Sequence, residues 1–397
     1  MNGLSLLQTE RAILELKRHF EDTLADSMRL HRVSAPMYVE MGTGLQDDLS
    51  GKERPVTFQV KAIDGKKFEI VHSLAKWKRM ALANYDVPAG EGIYTDMNAL
   101  RPDETSIETG IHSIYVDQWD WEKVMAPEER NLDYLKETVE TIYSAILSTE
   151  HHICSRYGLN KFLSRKIHFI HSEDLLAKYP NLQPKEREHA ICHELGAVFL
   201  IGIGGNLANG EPHDGRAPDY DDWSTPTKEG HKGLNGDILV WNPIFEKSFE
   251  LSSMGIRVDP ETLTRQLTER KALTKAKQPW HKSLLAGKMP QTIGGGIGQS
   301  RLSMLLLQKQ HIGEVQVSVW PDRMLEYCKE SADEQGLENI DFIDCDFINF
   351  DIDAAGWVKK YDLVFTSLTP AMDGLKSIEK VNKVSREWCF NNSFVYR

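Results

Sequence analysis

Apolar residues near the start of the chain fall at Ile13, Leu16, Phe20 and Leu24. Their spacing of three and four predicts an amphipathic helix over Thr9–Ala25. A polar run punctuated by glycine, Gly42 to Gly51, follows and reads as a loop. Beyond it the runs shorten: Val56–Ala62, Phe68–Ser73, Gly92–Leu100 and Ile111–Trp119 predict strands, and Leu132–Tyr157 a long helix. A strand at Lys166–His171 and a helix at Pro184–Leu195 come next, and the unbroken apolar run Ala197–Ile203 has the pattern of a buried strand. Strands at Asp237–Trp241 and Phe249–Val258 precede Pro290–Arg301, whose glycines read as a tight turn opening onto a helix with the apolar run Leu302–Leu307. Because predicted strands often follow one another with no helix between, the fold class is α+β, an antiparallel sheet flanked by helices rather than a doubly wound one.

The 397 residues are enough for one large domain or two smaller ones, and 41% hydrophobic with 27% charged residues is ordinary for a soluble globular chain. A net charge of −12 repels nucleic acid as a whole. The five cysteines are scattered without a C-x-x-C pair, which suits free thiols in a reducing, cytoplasmic setting. No apolar run approaches the roughly 20 residues of a membrane span. Glu10 and Arg11 interrupt the N-terminus before any long apolar stretch, so no signal peptide is expected. Past Pro321 the balance shifts: residues 322–397 hold 15 acidic and 9 basic residues, so about half the net charge sits in the tail. A boundary is therefore expected there, with a catalytic domain over 1–321 and an acidic tail over 322–397.

The glycines Gly294 and Gly296 let a backbone approach a flat ligand, and Arg301 at the start of the following helix offers a delocalised charge to phosphate. The spacing does not fit G-x-G-x-x-G after a hydrophobic strand, so a dinucleotide fold is disfavoured. Four clusters share a theme of charge beside glycine or on strands. They are Asp47-Asp48; His72 to Arg79; Arg101 to Glu104 with Val116 to Glu122; and Arg216 to Trp223 with Asn235 to Asp237 and Glu250 to Arg257. Asp237, Glu250 and Arg257 lie within strand-like runs, where an unpaired charge costs several kcal/mol, of order 3–5. A polyanion with its magnesium supplies partners for such a set: arginines for phosphate oxygens, carboxylates for Mg²⁺.

These strings closely resemble the ammonia-dependent asparagine synthetases, the aspartate–ammonia ligase family built on the class II aminoacyl-tRNA synthetase core. The resemblance spans about residues 5 to 321 and rests on Gln46–Gly51, His72–Arg79, Ala99–Glu104, Val116–Glu122, Ala217–Thr225, Leu234–Asn242, Phe249–Arg257 and Met289–Arg301. It implies ATP and Mg²⁺ as cofactors, L-aspartate and ammonia as substrates, a six- to eight-stranded antiparallel sheet and a homodimer. Arg101 falls on the arginine that grips the α-phosphate, Arg301 on the one at the triphosphate end, and Asp237 and Glu250 on the magnesium positions. Arg216, Gly294 and Gly296 join the nucleotide side. Lys78, Gln118, Asp120, Ser253 and Arg257 are expected to orient the amino acid or polarise its carboxyl. The acid that takes a proton from ammonium is Asp47, or one of Asp219 and Asp221. Glutamine-dependent relatives of this chemistry commonly expose a cysteine after the initiator methionine; here Asn2 stands there, which favours free ammonia.

Two rivals are weaker. An aspartyl-tRNA synthetase needs a basic tRNA-binding module, and none is expected before the core or in the acidic tail. A zinc hydrolase is suggested by His189 and His193 at i and i+4, but Ala190 stands where the catalytic glutamate belongs, so a helix surface is expected. His168 and His171 lie three apart on a strand and face opposite ways. In the tail, a helix from Met324, a strand at Ile340–Phe347 and another at Tyr361–Ser367 resemble the middle of an S-adenosylmethionine-dependent methyltransferase that lacks its glycine-rich loop. A truncated fusion, or a join between two unrelated reading frames, without activity is the expectation.

Overall fold

The computed structural model describes residues 4–51 and 53–318, together with 353, 354, 356, 358, 361–366, 383 and 385–391 of the tail. The chain opens with helix α1 (Leu6–Met28), which Ser5 caps by accepting from the Gln8 amide while Gln8 reaches back. Its apolar stripe, Ile13, Leu16, Phe20 and Leu24, is buried as the periodicity predicts. Strand β1 (Leu30–Arg32) follows, then a small three-stranded sheet of β2 (Tyr38–Glu40), β3 (Thr57–Gln59) and β4 (Lys67–Ile70), in the order β2-β4-β3. Helix α2 (Ala75–Asn84) turns Lys76, Lys78 and Arg79 inward rather than to water. Strands β5 (Gly92–Leu100) and β6 (Tyr115–Val124) pair antiparallel with Leu100 opposite Tyr115. The β6 strand thus starts four residues later than its apolar pattern, because Ile114 closes the loop by accepting from the Arg101 amide.

Helix α3 (Leu132–Tyr157) runs from an Asn131 cap to a left-handed Gly158, packed on α1. After it come β7 (His168–His171), α4 (Ser172–Lys178), α5 (Pro184–Leu195) and β8 (Ala197–Ile201), then a two-stranded ribbon of β9 (Pro226–Lys228) and β10 (His231–Lys232). Strands β11 (Asn235–Asn242) and β12 (Lys247–Ile256) form a long hairpin. Residues 260–285, to which the hydrophobic pattern assigned no element, form α6 (Pro260–Glu269), a single turn at Leu273–Lys277, and α7 (Pro279–Leu285). The glycine segment expected as a turn is instead strand β13 (Thr292–Gly298), running straight into α8 (Gln299–Leu306). It pairs with β6 on one side and β12 on the other, and glycine is required because those neighbours fill the space above it.

The main sheet has eight strands in the order β1-β5-β6-β13-β12-β11-β8-β7. Its six central strands are antiparallel, and the two edge pairs, β1·β5 and β7·β8, are parallel. Both parallel pairs are joined by long crossovers, as parallel pairing demands; that from β7 to β8 carries α4 and α5. Core clusters lie where these helices meet the sheet, including Leu175, Ile191, Cys192, Val198, Leu200 and Leu239. The chain divides into two compact units, Met1–Ser106 with Gly110–Val315, and Ile107–Thr109 with Gln316–Arg397. In the second, β14 (Tyr361–Thr366) pairs parallel with β15 (Ser385–Asn391), so the strand expected at Tyr361–Ser367 is present. The tail helix from Met324 and the strand at Ile340–Phe347 lie outside the described residues.

Candidate active site

The central strands carry charge on their inner face, and the charges neutralise one another in pairs. Arg257, just past β12, donates to Glu122 of β6 from Nε at 3.0 Å and from Nη2 at 2.8 Å, and from Nη1 to Asp221. Thr292 Oγ1 adds a bond to Glu122 at 2.7 Å. Burial alone would raise the Glu122 carboxyl, but Arg257 and Lys78 outweigh it and hold it below the usual range. Asp221 goes the other way: burial dominates and pushes it up despite Arg257. Lys78 of α2, wholly buried, donates to Asp120, to the Trp121 carbonyl at 2.8 Å and to the Gly295 carbonyl at 3.1 Å. All three ammonium protons are thereby used, and the second Asp120 oxygen accepts from the Leu74 amide at 3.0 Å. Burial lowers Lys78, with Asp120 and Glu122 pulling it back.

The glycines of β13 make room for this layer. A methyl on Gly294 would run into Glu122 and come within 2.6 Å of Arg257, and one on Gly296 would meet the Gln118 amide. Gln118 stands half-buried on β6 beside this opening.

A second hub is Asp219. Its Oδ2 accepts from Lys76 Nζ at 2.9 Å and His281 Nε2 at 2.9 Å, while Lys275 Nζ lies 3.6 Å away. Its Oδ1 is buried without a partner. The surrounding cations hold this carboxyl far below the usual range although burial opposes them. Above it runs the 42–51 loop. Asp47 is buried there, accepting from Ser73 Oγ at 2.5 Å and from the Leu49 amide at 2.9 Å. Burial pushes the Tyr220 phenol well up, and the charges of Asp47 and Asp221 add to this while Arg216 and Arg257 oppose it.

The third group lies along β11 and β12. Asp237 is opposite Ser253, and Glu250 is opposite Leu239 across a bulge. That bulge puts Glu250 and Ser253, three residues apart, on the same face as Asp237. Arg216 Nη2 donates to both Asp237 oxygens at 2.5 and 2.7 Å and to Ser253 Oγ at 3.0 Å, and its buried Nε has no partner. Arg301 donates to the Glu250 carbonyl at 3.2 Å and stands 3.7 Å from its carboxylate. Burial and the charge of Glu250 raise Asp237 against the pull of Arg216. Burial would raise Glu250 too, but Arg301, Lys185 and Arg216 bring it down. Arg101, at the end of β5, donates one bond to the His72 carbonyl at 3.1 Å, and its buried Nε has no partner.

The sequence-predicted residues therefore lie in one unit as three groups: Lys78, Asp120, Asp221 and Arg257 with Gln118, Gly294 and Gly296; Asp47 and Asp219, with Arg101 tied to Asp47 through His72; and Arg216, Asp237, Glu250, Ser253 and Arg301. Lys76, Lys275, His281, Tyr220, Lys185 and Glu122 join these groups without a role assigned from sequence. Lys76 was signalled by the basic start of α2; Lys275 and His281 carry no local signal. His193 is exposed, whereas His189 is half-buried, its Nδ1 hydrogen-bonded to Ser248 Oγ of β12 at 2.7 Å. Among the described residues no three His, Cys, Asp or Glu side chains gather as a metal site. Nor is any described helix long and apolar enough to cross a membrane.

Residues 7–332 match the family model described as aspartate-ammonia ligase, which reaches past the boundary expected at 321. A curated aspartate–ammonia ligase from Parabacteroides distasonis is 57% identical over 323 residues, covering 81% of this chain and 93% of that protein. Asparaginyl-tRNA synthetase from Pyrococcus horikoshii, solved with asparaginyl-adenylate, superposes with a TM-score of 0.58 at 16% identity, over 79% of this chain and 70% of that one. The Entamoeba histolytica asparaginyl-tRNA synthetase, also with asparaginyl-adenylate, gives 0.56 at 14% identity, over 78% and 66%. At such identity these two likenesses establish the class II synthetase fold alone.

Proposed function

Since this chain belongs to the aspartate–ammonia ligase family, we propose that the three groups form one active site making asparagine from ATP, L-aspartate and ammonia. The observation that carries the reading is the layer of buried, mutually compensated charge with guanidinium donors of Arg101 and Arg216 left unspent beside it. A polyanion is the guest that such donors await. In the first step an oxygen of the aspartate side-chain carboxylate attacks the α-phosphorus of ATP. The bond to diphosphate breaks and a β-aspartyl-adenylate remains. Arg101 stabilises charge on the α-phosphate, and Arg301 and Arg216 receive the departing diphosphate. In the second step ammonia attacks the β-carbonyl carbon, and AMP leaves with the bridging oxygen.

Magnesium fits the residues present. Asp237 and Glu250 are hard oxygen donors on one face, and their mutual repulsion, part of what raises Asp237, is relieved by a divalent cation. Asp237 and Glu250 would hold the ion, and phosphate oxygens and water would have to supply its other ligands. When bound, the ion neutralises phosphate charge.

Ammonium needs a carboxylate that is not already neutralised. Asp219 is balanced by Lys76, His281 and Lys275, Asp221 by Arg257, and Asp120 by Lys78. Among the described residues Asp47 makes no ion pair; its carboxylate accepts from Ser73 and a backbone amide. Asp47 therefore holds the ammonium and takes its proton. Lys78, with its protons committed, positions Asp120 and the β13 backbone, while Gln118 and Ser253 face the amino acid. The same reading carries a cytoplasmic homodimer that takes no nucleic acid, in keeping with a net charge of −12.

The test is AMP and diphosphate release from ATP, Mg²⁺ and L-aspartate, with and without ammonium, and with glutamine or tRNA in its place. Ammonium-dependent AMP with asparagine as product is expected. Release driven by tRNA alone overturns the reading.

A further inference from the structure

The segment Leu273–Leu285 grips the 42–51 loop at several points. The Trp280 amide donates to the Thr43 carbonyl at 3.0 Å, while its indole Nε1 anchors it to helix α2 by donating to the Lys76 carbonyl at 2.8 Å. Gly44, at φ +84°, lies so close that a methyl there would come within 2.8 Å of His281 Nδ1. Leu45 packs against the cluster of Trp280 and Leu284 on one side and that of Val71, Leu74 and Met97 on the other. These contacts fix the first half of the loop. The second half, which carries Asp47, has one charged tie to this segment: Lys275 Nζ donates to Asp48. From there Lys275 lies within 3.6 Å of Asp219, and the charges of Asp219, Asp48 and Asp47 all raise it against the effect of burial.

We propose that Lys275 is a positioning residue for the ammonia half of the reaction. By its charge on Asp48 it holds the second half of the loop so that the neighbouring Asp47 carboxylate stands at the ammonium site. Lys275 touches neither substrate nor nucleotide in this arrangement; it acts through the loop. The proposal rests on the reading of Asp47 as the ammonium-binding acid. The geometry suits this role. The lysine side chain is 24% exposed and that of Asp48 is 41% exposed, so the tie lies at the rim and can be cut without opening the core. The other cation on Asp219, Lys76, is wholly buried and stays in place when Lys275 is removed.

The experiment uses the full chain with four substitutions, Lys275→Met, Lys275→Arg, Asp48→Asn and Asp47→Asn, and the double variant Lys275→Met with Asp48→Asn. Two activities are read: aspartate-dependent exchange of labelled diphosphate into ATP without ammonium, and ammonium-dependent AMP formation. Lys275→Met and Asp48→Asn are each expected to raise KM for ammonium about tenfold or more, with exchange kept within about twofold. The double variant is expected to be no worse than the worse single one, because both cut the same tie. Lys275→Arg, which keeps the charge, restores most of the loss. A Lys275→Met that leaves KM for ammonium unchanged overturns the proposal, as does equal loss in both activities or multiplicative effects in the double variant. The Asp47→Asn variant separates the two readings. If it keeps full ammonium-dependent activity, the assignment of Asp47 falls and this proposal with it. If it loses that activity while Lys275→Met does not, only the role of Lys275 falls.

Discussion

The charged residues of this site are held by position more than by identity. Glu122 has no exposure to solvent and takes hydrogen bonds from both Nε and Nη2 of the Arg257 guanidinium and one from Thr292. Replacing it with glutamine keeps the shape and removes the charge, leaving Arg257 with Asp221 alone. Breaking one partner of such a pair is expected to cost about 3–5 kcal/mol. The dependence on pH follows from linkage. Because the folded carboxyl titrates below its ordinary value of 4.5, its contribution is fully present above that pH and is lost as pH falls through the folded value. The stability gap between wild type and Glu122→Gln is therefore widest at pH 7 and narrows below about pH 4.5. Urea unfolding of both proteins at pH 7 and pH 4 measures it; a gap that stays constant means that the ion pair is not its source. No sequence pattern gives this pairing. Glu122 and Arg257 are 135 residues apart and meet only because the sheet brings their strands together.

At the scale of elements, legibility tracked how local the determining signals are. The helices Leu132–Tyr157 and Pro184–Leu195 match their predicted ranges because both ends are marked in the sequence, by Asn131 and Gly158 for one and by Pro184 and Gly196 for the other. The strand Gly92–Leu100 matches as well. Strand β13 was misread because glycine is a turn signal locally, and what makes it a strand is the bulk above it from Glu122, Gln118 and Met254. The 273–285 segment was missed for a related reason: the partners of Lys275 and His281 are 227 and 62 residues away. The glycine strand gives a contrast that tests this account. A methyl on Gly295 meets the Ser253 carbonyl at 2.7 Å, backbone that cannot step aside, so Gly295→Ala is expected to lose about 1–3 kcal/mol. A methyl on Gly296 meets only the end of the Gln118 side chain, so Gly296→Ala should keep its thermal midpoint while Gln118 is displaced and kcat falls. Equal losses of stability in the two variants would show that the strand tolerates no side chain anywhere.

For the whole molecule the open question is how much of the chain the chemistry needs. Every residue assigned here to nucleotide, metal, aspartate or ammonia lies between Asp47 and Arg301, within the compact unit that ends at Val315. The acidic tail beyond Pro321 adds six of the twelve net negative charges and none of these residues. The match to the family model, however, runs to residue 332, so the boundary read from charge and the one read from likeness differ. Two shortened chains separate them, one ending at Pro321 and one at Ala332. If the catalytic unit closes where the charge balance changes, both give ammonium-dependent AMP formation within about twofold of the full chain, with unchanged KM for ATP and aspartate. If the stretch between the two ends belongs to the catalytic unit, the chain ending at Ala332 is active and the shorter one is not. Loss of activity in both makes the tail part of the enzyme, and the division of the chain at 321 is then wrong. A gain of activity in both identifies the tail as inhibitory. The first outcome is the expected one, because among the described residues the ion pairs that organise the site are made between side chains that all lie from Lys76 to Arg301.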